Sequence, residues 1–358
     1  MPAEIDIFTT RYMLPLVEEN MRASSFLRDR YFSKTTIFES KYIDFDVLVH
    51  QRQKAVFSNI NDGPTILERT GFKTFSFEAP YMNPATITTA EDVINNRLPG
   101  DHIYSTRSPQ EKMNEILGRD LNRLEHAITR AEEDMIKDLL FYGNIKIEGP
   151  GISRSLDFWE GLQTAEKPTT TLTSANYWTA SGADPLKDLR DIRRKIVQRS
   201  GVGPTDCIMG REAIDAFIAN LTLNNKTLDI RRVEMGYVKP NELAPGVIYW
   251  GRLLDSGLDI YSYDDVISVN GSEVPVIPTK AVLVGSPRAT TTMAYGPCPL
   301  VKNNEGLSVV AAARVPSSFI STNKPAGRVL QLASRPLPIL HEIQAFHVLW
   351  PLGYTAQS

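Results

Sequence analysis

The stretch from Pro109 to Tyr142 constrains the fold most, because it reads as one unbroken amphipathic helix with both ends marked. Ser108 is an N-cap, Pro109 suits the first helical position where an N–H is not needed, and Glu111 is placed to reach back to the cap. Gly143 supplies a left-handed stop. Met113, Leu117, Leu121, Leu124, Ile128, Ala131, Met135 and Leu139 recur at spacings of three and four and form one apolar stripe. The opposite face is charged, with Glu115 before Arg119 and Glu133 before Lys137 by one turn each. Roughly 34 residues at about 1.5 Å each make a rod about 50 Å long, against a usual helix of about 11 residues. By periodicity alone this is a coiled-coil arm or a long bundle helix. His126 stands alone among charges and reads as a solvated surface residue.

The whole chain has 358 residues, 42 % hydrophobic and 23 % charged, which is ordinary globular composition and room for about two domains. A net charge of −3 argues against a protein that binds nucleic acid by neutralising phosphates. No apolar run approaches the ~20 residues of a membrane helix; the run Val309–Ala313 ends at Arg314. The first residues carry Glu4 and Asp6 without a basic segment, so no signal peptide is expected and synthesis is placed in the cytoplasm. Cys207 and Cys298 are too few for a disulfide framework and read as small buried hydrophobes.

Residues 1–40 mix large apolar groups with scattered charges; Pro15 leaves a short helix over 16–23 and extended chain around it. Such an arm lies along a surface, of its own chain or of a neighbour. From Thr35 to Glu78 the period becomes two, with a dense turn signal at Asn59–Pro64, which predicts a long hairpin. Its middle, around His50, Arg52 and Lys54, is polar on both faces, so the hairpin is expected to be ordered by packing on a neighbouring subunit. A proline-punctuated connector with a short helix over 89–95 leads into the long helix. Short strands and loops are expected over 145–162, and the Thr- and Ser-rich stretch 167–181 reads as a linker.

Helices are then expected over 185–200 and 211–221, with strands at 207–209, 247–250, 259–263, 265–269, 274–277 and 281–284. Together they describe an α+β domain over 185–287. The basic outer face of the first helix, from Lys187 to Arg199, is offset by Asp188 and Asp191 and lacks interleaved aromatics, so it reads as solvated. Strand candidates at 307–315, 329–332 and 345–349 are expected to pair with strands from before residue 185, making 185–287 an insertion in a discontinuous outer domain.

Enzyme signatures are missing. Gly201-Val202-Gly203 follows a helix and is stopped by Pro204, so it is no dinucleotide loop. The five histidines never take metal-ligand spacing, and neither a nucleophile elbow nor a Walker lysine loop occurs. No catalytic residue, cofactor or metal is expected.

At the end of the predicted insertion, the order Tyr249-Trp250-Gly251, Ile260-Tyr261-Ser262, Asn270-Gly271, Ile277-Pro278 and Val282–Gly285 resembles the major capsid protein E family of lambda-like tailed bacteriophages. The resemblance continues through Tyr295-Gly296, Ala312–Arg314 and Ser334–Pro338, and backwards to Pro80–Pro84 and the long helix. It implies the Hong Kong 97-type capsid fold, an α+β fold. Its parts would be an N-terminal arm (1–40), an E-loop hairpin (41–80), a peripheral domain (81–184) carrying the spine helix 109–142, an axial domain (185–287) and a return to the peripheral domain (288–358).

The resemblance further implies a structural virion protein that is not an enzyme and assembles with itself into hexamers and pentamers of an icosahedral shell. That shell would enclose double-stranded DNA without specific binding. A separate scaffolding protein and a portal are the implied partners, a decoration protein is a further one, and no membrane is involved. Candidate assembly contacts are Arg52, Lys54, Asn59, Asn61, Asp62, Gly63, Glu68 and Arg69 on the hairpin, with Tyr12, Phe26 and Arg30 on the arm. An encapsulin-like compartment of the same fold and a soluble hydrolase are the alternatives.

Overall fold

A computed structural model describes residues 25–48, 72–89, 109–149, 151–223, 241–244, 246–253, 256–269, 272–302, 306–321 and 326–356. The expected helices over 16–23 and 89–95 and the hairpin middle and tip lie outside the described residues, apart from Thr89. The long helix spans Pro109–Tyr142 as the pattern predicts, and Gly143 ends it at φ 69°.

The centre of the fold is a seven-stranded mixed sheet. Its strands run in the order Thr169–Thr171, His347–Trp350, Val282–Gly285, Asp206–Met209, Asp259–Tyr263, Val247–Arg252 and Asn241–Ala244. Two of its neighbour pairs are parallel, Asp206–Met209 with Asp259–Tyr263 and Thr169–Thr171 with His347–Trp350; the others are antiparallel. Cys207, Met209, Ile260, Val282 and Val284 face helices Pro185–Ser200 and Arg211–Leu223 through Leu189, Ile192, Ile196 and Phe217. Ile208, Tyr261, Leu283 and Val348 point the other way, into a core shared with Met135, Ile136, Leu139 and Leu140 of the long helix. Every residue of the strands Asp206–Met209, Val282–Gly285 and His347–Trp350 is therefore buried, as strands covered on both faces must be.

Two three-stranded sheets tie the tail to the front of the chain. Thr291–Tyr295 lies between Thr35–Ile37 and Pro336–Leu340, and Gly327–Ala333 lies between Val315–Ser321 and Ala85–Thr88. Leu330 and Leu332 of the second sheet meet Leu117, Leu121, Leu124 and Ile128 of the long helix. Gly327–Ala333 and His347–Trp350 thus pair with strands from before residue 185, as expected, whereas Gly306–Val310 pairs within the tail, with Cys298–Lys302, against the expectation for 307–315. The final strand does more, because His347–Trp350 also pairs with Val282–Gly285 and so joins the sheet of the predicted insertion.

Three expectations change. The stretch read as a linker supplies the edge strand Thr169–Thr171, and Trp178 is buried beside Phe217 with its indole N–H on Asp188 at 3.0 Å. Small polar residues marked this stretch as irregular, but the buried Trp178 and the strand pairing with His347–Trp350 outweigh that composition. Residues 26–31, read as extended, form a helix whose Leu27 and Tyr31 are buried. The run 307–315 is broken, since one strand ends at Val310 and another begins at Val315.

Gly143 and Gly151 both have positive φ, yet differ in surroundings. A Cβ on Gly143 would sit 2.1 Å from the Trp159 indole, whereas one on Gly151 meets nothing within 4 Å. Gly143→Ala is expected to cost about 2–4 kcal/mol from strain and overpacking, and Gly151→Ala about 1 kcal/mol from backbone strain alone. Urea unfolding of the two purified variants checks the difference.

Candidate assembly site

The hairpin base is built from Tyr42–Leu48 paired antiparallel with Phe72–Glu78, in register from Tyr42 opposite Glu78 to Leu48 opposite Phe72. Alternation puts Ile43, Phe45, Phe75 and Phe77 on one face. Phe45 stacks on Phe75 at 5.7 Å and on Phe158 at 5.5 Å, which fixes the base to the chain's own core. Glu78 closes the base, with Lys41 at 2.9 Å, Arg154 at 2.7 Å and Arg335 at 3.3 Å. Hydrogen bonds from Arg154 and Lys41 hold its carboxyl down at about 2. The base is thus ordered by its own subunit, a correction to the expectation that the whole hairpin needs a neighbour. The aromatic residues near the strand ends were the available signal. Arg52, Lys54, Asn59, Asn61, Asp62, Gly63, Glu68 and Arg69, which would form the hairpin's middle and tip, lie outside the described residues, as does Tyr12.

Phe26 and Arg30 are described, and they make their contacts within the chain. The Phe26 ring lies 5.7 Å from both Tyr261 and Tyr263. Arg30 donates to Asp206 in a two-pronged pair, its Nη2 at 3.0 Å, and to the Tyr261 hydroxyl at 2.8 Å. Tyr31 donates its hydroxyl to Asp206 at 3.1 Å, and the Thr291 hydroxyl donates to the Tyr31 carbonyl. The arm after Ser25 is therefore a strap across the sheet of the inserted unit.

The charged side of the long helix divides in two. Toward its start it is solvated as expected: Glu115 pairs with Arg119 at 2.7 Å and His126 is exposed. Toward its end it runs through the core, and Glu132, Glu133, Lys137 and Asp138 are buried. The expected Glu133–Lys137 pair is not the one formed; Lys137 reaches Asp134 at 2.6 Å and Asp138 at 3.2 Å. Glu133 instead accepts the backbone N–H groups of Leu27 at 2.8 Å and Arg28 at 3.2 Å. Glu132, wholly buried, takes a bidentate grip from Arg314 at 2.7 and 2.9 Å, the Tyr295 hydroxyl at 3.1 Å, and Arg28 at 3.2 Å. Arg314 also donates to Ser334 at 3.0 Å. Sequence reading used Arg314 as the end of an apolar run and within the Ala312–Arg314 resemblance. Its position between Ala313 and Val315 was the signal that a buried partner exists.

These groups join the long helix to the strap, the inserted sheet and the tail. Removing one partner of a buried pair leaves the other charge uncompensated. Arg314→Met is expected to destabilise the subunit by about 3–5 kcal/mol, and adding Glu132→Leu to restore a large part of that loss. A double-mutant cycle on chemical unfolding midpoints reads the recovery.

Comparison with known proteins places this geometry. The model of the family described as phage major capsid protein E matches residues 9–347. The major capsid protein of enterobacteria phage P21 is 23 % identical over 349 residues, covering 96 % of this chain and 98 % of that protein. The major capsid protein of Escherichia phage lambda is 21 % identical over 346 residues at the same coverages. Among solved structures, a prophage protein of Escherichia coli CFT073 described as a capsid protein superposes with a TM-score of 0.67 at 17 % identity, over 95 % of this chain and 98 % of that one. The procapsid of satellite phage P4 gives 0.50 at 10 % identity, over 97 % and 92 %. The fold is the α+β Hong Kong 97-type fold, and the chain belongs to the phage major capsid protein E family, whose members are self-assembling structural proteins of the virion capsid.

Proposed function

We infer that this chain builds the icosahedral shell of a tailed phage from hexamers and pentamers of itself, and that it carries no catalytic activity. The observation that carries this reading is the family match from residue 9 to residue 347, which includes the hairpin and the inserted unit. Family relatives named as major capsid proteins, over 96 % of this chain, favour a phage shell over the other classes considered. The division into arm (1–40), E-loop (41–80), peripheral domain (81–184 and 288–358) and axial domain (185–287) is proposed with it. Support comes from the tail strands that return to Thr35–Ile37 and Ala85–Thr88, and from the helices over 185–223 gathered on one face of the central sheet.

A shell subunit repeats modest contacts many times, which favours projecting elements over concave pockets. The hairpin base is pinned by Phe45, Phe75 and Glu78, which gives the segment that follows Leu48 in the sequence a fixed root. Arg52, Lys54, Asn59, Asn61, Asp62, Gly63, Glu68 and Arg69 are proposed as its contacts with a neighbouring copy, and Tyr12 as a contact of the arm. Phe26 and Arg30 are engaged within the subunit, so their proposed part in assembly is indirect: they position the arm that precedes them. A net charge of −3 suits a container that encloses DNA without holding it tightly. A separate scaffolding protein, a portal and a decoration protein are the proposed partners.

Deleting Asn59–Arg69 is expected to abolish shell formation and leave the subunit folded. Co-expression with the scaffolding protein, negative-stain microscopy and circular dichroism check this together. Unchanged shells would overturn the role of the tip, and an unfolded subunit would show that the tip belongs to the core.

A further inference from the structure

The hairpin base turns one face to the core and the other to water. Ile43, Phe45, Phe75 and Phe77 point inward, while Tyr42, Asp44, Asp46, Thr74 and Ser76 are exposed on the opposite face. Register sets Tyr42 opposite Glu78, Asp44 opposite Ser76 and Asp46 opposite Thr74. From Tyr42 to Asp46 this outer face is about 14 Å long.

Charge is sorted along it. At the root, Lys41, Arg154 and Arg335 converge on the single carboxylate of Glu78. One anion cannot balance three cations, and among the described residues the buried Arg335 Nε finds no acceptor. Lys41 and Arg154 keep 55 % and 54 % of their side chains exposed, and the Tyr42 ring near Lys41 is exposed as well. Further along, the carboxylate of Asp46 accepts the Thr74 hydroxyl at 2.6 Å, and among the described residues no ion pair reaches Asp44 or Asp46. One exposed face therefore carries a positive surplus at its root and a negative surplus beyond it, neither matched within the subunit. Two such faces laid in the same strand direction set like charge on like. Laid in opposite directions, each root meets the other's carboxylates.

We propose that the outer face of the hairpin base is a self-complementary docking surface for a second copy, in which Lys41 and Arg154 of each subunit meet Asp44 and Asp46 of the other. The contact rests on the reading of the chain as a shell subunit and lies at the hairpin root, apart from the tip. Both copies use the same patch, so it is reciprocal and closes on itself as a pair. Tyr42, beside the cations, supplies the aromatic surface that such a contact covers. Exposed ion pairs are individually weak and screened by salt, so the pairing is reversible. The base itself stays fixed from its other face, where Phe45, Phe75 and Phe158 pack together.

Carbodiimide, which joins lysine to a carboxylate only in direct contact, tests this on full-length chains. Heavy-isotope-labelled and unlabelled subunits are mixed, assembled with the scaffolding protein and cross-linked. Mass spectrometry is expected to find Lys41 joined to Asp44 or Asp46 across a heavy and a light chain. Lys41→Glu with Arg154→Glu, and separately Asp44→Lys with Asp46→Lys, are each expected to lower shell yield about tenfold or more. Mixing the two variants, or placing all four changes in one chain, is expected to restore it. Circular dichroism checks that each variant folds; if the first does not, the second, whose residues hold no ion pair within the subunit, carries the test with the cross-link. Undiminished shells from the variants, wild-type shells without that cross-link, or a loss that neither mixing nor the fourfold change restores would each overturn the proposal and leave the shell reading standing. A wild-type chain that forms no shell overturns both.

Discussion

A sheet buried on both faces needs two covers, and the inserted unit owns only one. Its helices Pro185–Ser200 and Arg211–Leu223 shield Cys207, Met209 and Val282, but Ile208, Tyr261 and Leu283 would face water without the long helix and the strap. Apolar burial is worth about 25 cal/mol per Å², so a bare sheet face of this kind would be strongly unfavourable. The inserted unit is consequently no free-standing domain. Its second cover comes from a helix that begins far away, on the sheet formed by Ala85–Thr88, Val315–Ser321 and Gly327–Ala333. One rod thereby couples the two regions.

The cost of that arrangement falls on the end of the rod. As the helix leaves the surface for the core it carries Glu132, Glu133, Lys137 and Asp138 with it. A surface helix would leave such residues in water, where their pairs are worth little. Buried, they must be matched group by group: Lys137 pairs with Asp134 and Asp138 on its own helix, whereas the partners of Glu132 and Glu133 come from distant parts of the chain, Leu27, Arg28, Tyr295 and Arg314. Such a cluster confers geometry more than stability. Its two-pronged contacts are satisfied only when strap, helix and tail are in register.

Much of this was legible in the sequence where one periodicity governed a segment. The long helix, its glycine stop, the helix from Pro185 and the strand at Cys207–Met209 follow from spacing and caps. The hairpin base was legible as a strand pair, though its attachment was not, because alternation identifies a face without naming what covers it. The charged side of the long helix misled for a similar reason. Glu133 and Lys137 stand one turn apart as a surface pair would, and only the long-range partners Leu27 and Arg28 show that Glu133 serves another element. The edge strand Thr169–Thr171 was hidden because its pairing lies with His347–Trp350, far along the sequence.

That pairing carries a consequence for how the subunit is made. His347–Trp350 sits between Thr169–Thr171 and Val282–Gly285, so the central sheet has a gap until residues 347–350 have left the ribosome. Chains emerge at about 5–20 residues per second, and earlier segments fold while later ones are still being made. Here the joining strand arrives after both of its neighbours. Until it does, Val282–Gly285 is a raw edge and Thr169–Thr171 has no neighbour, so the central sheet closes only after synthesis has passed residue 350.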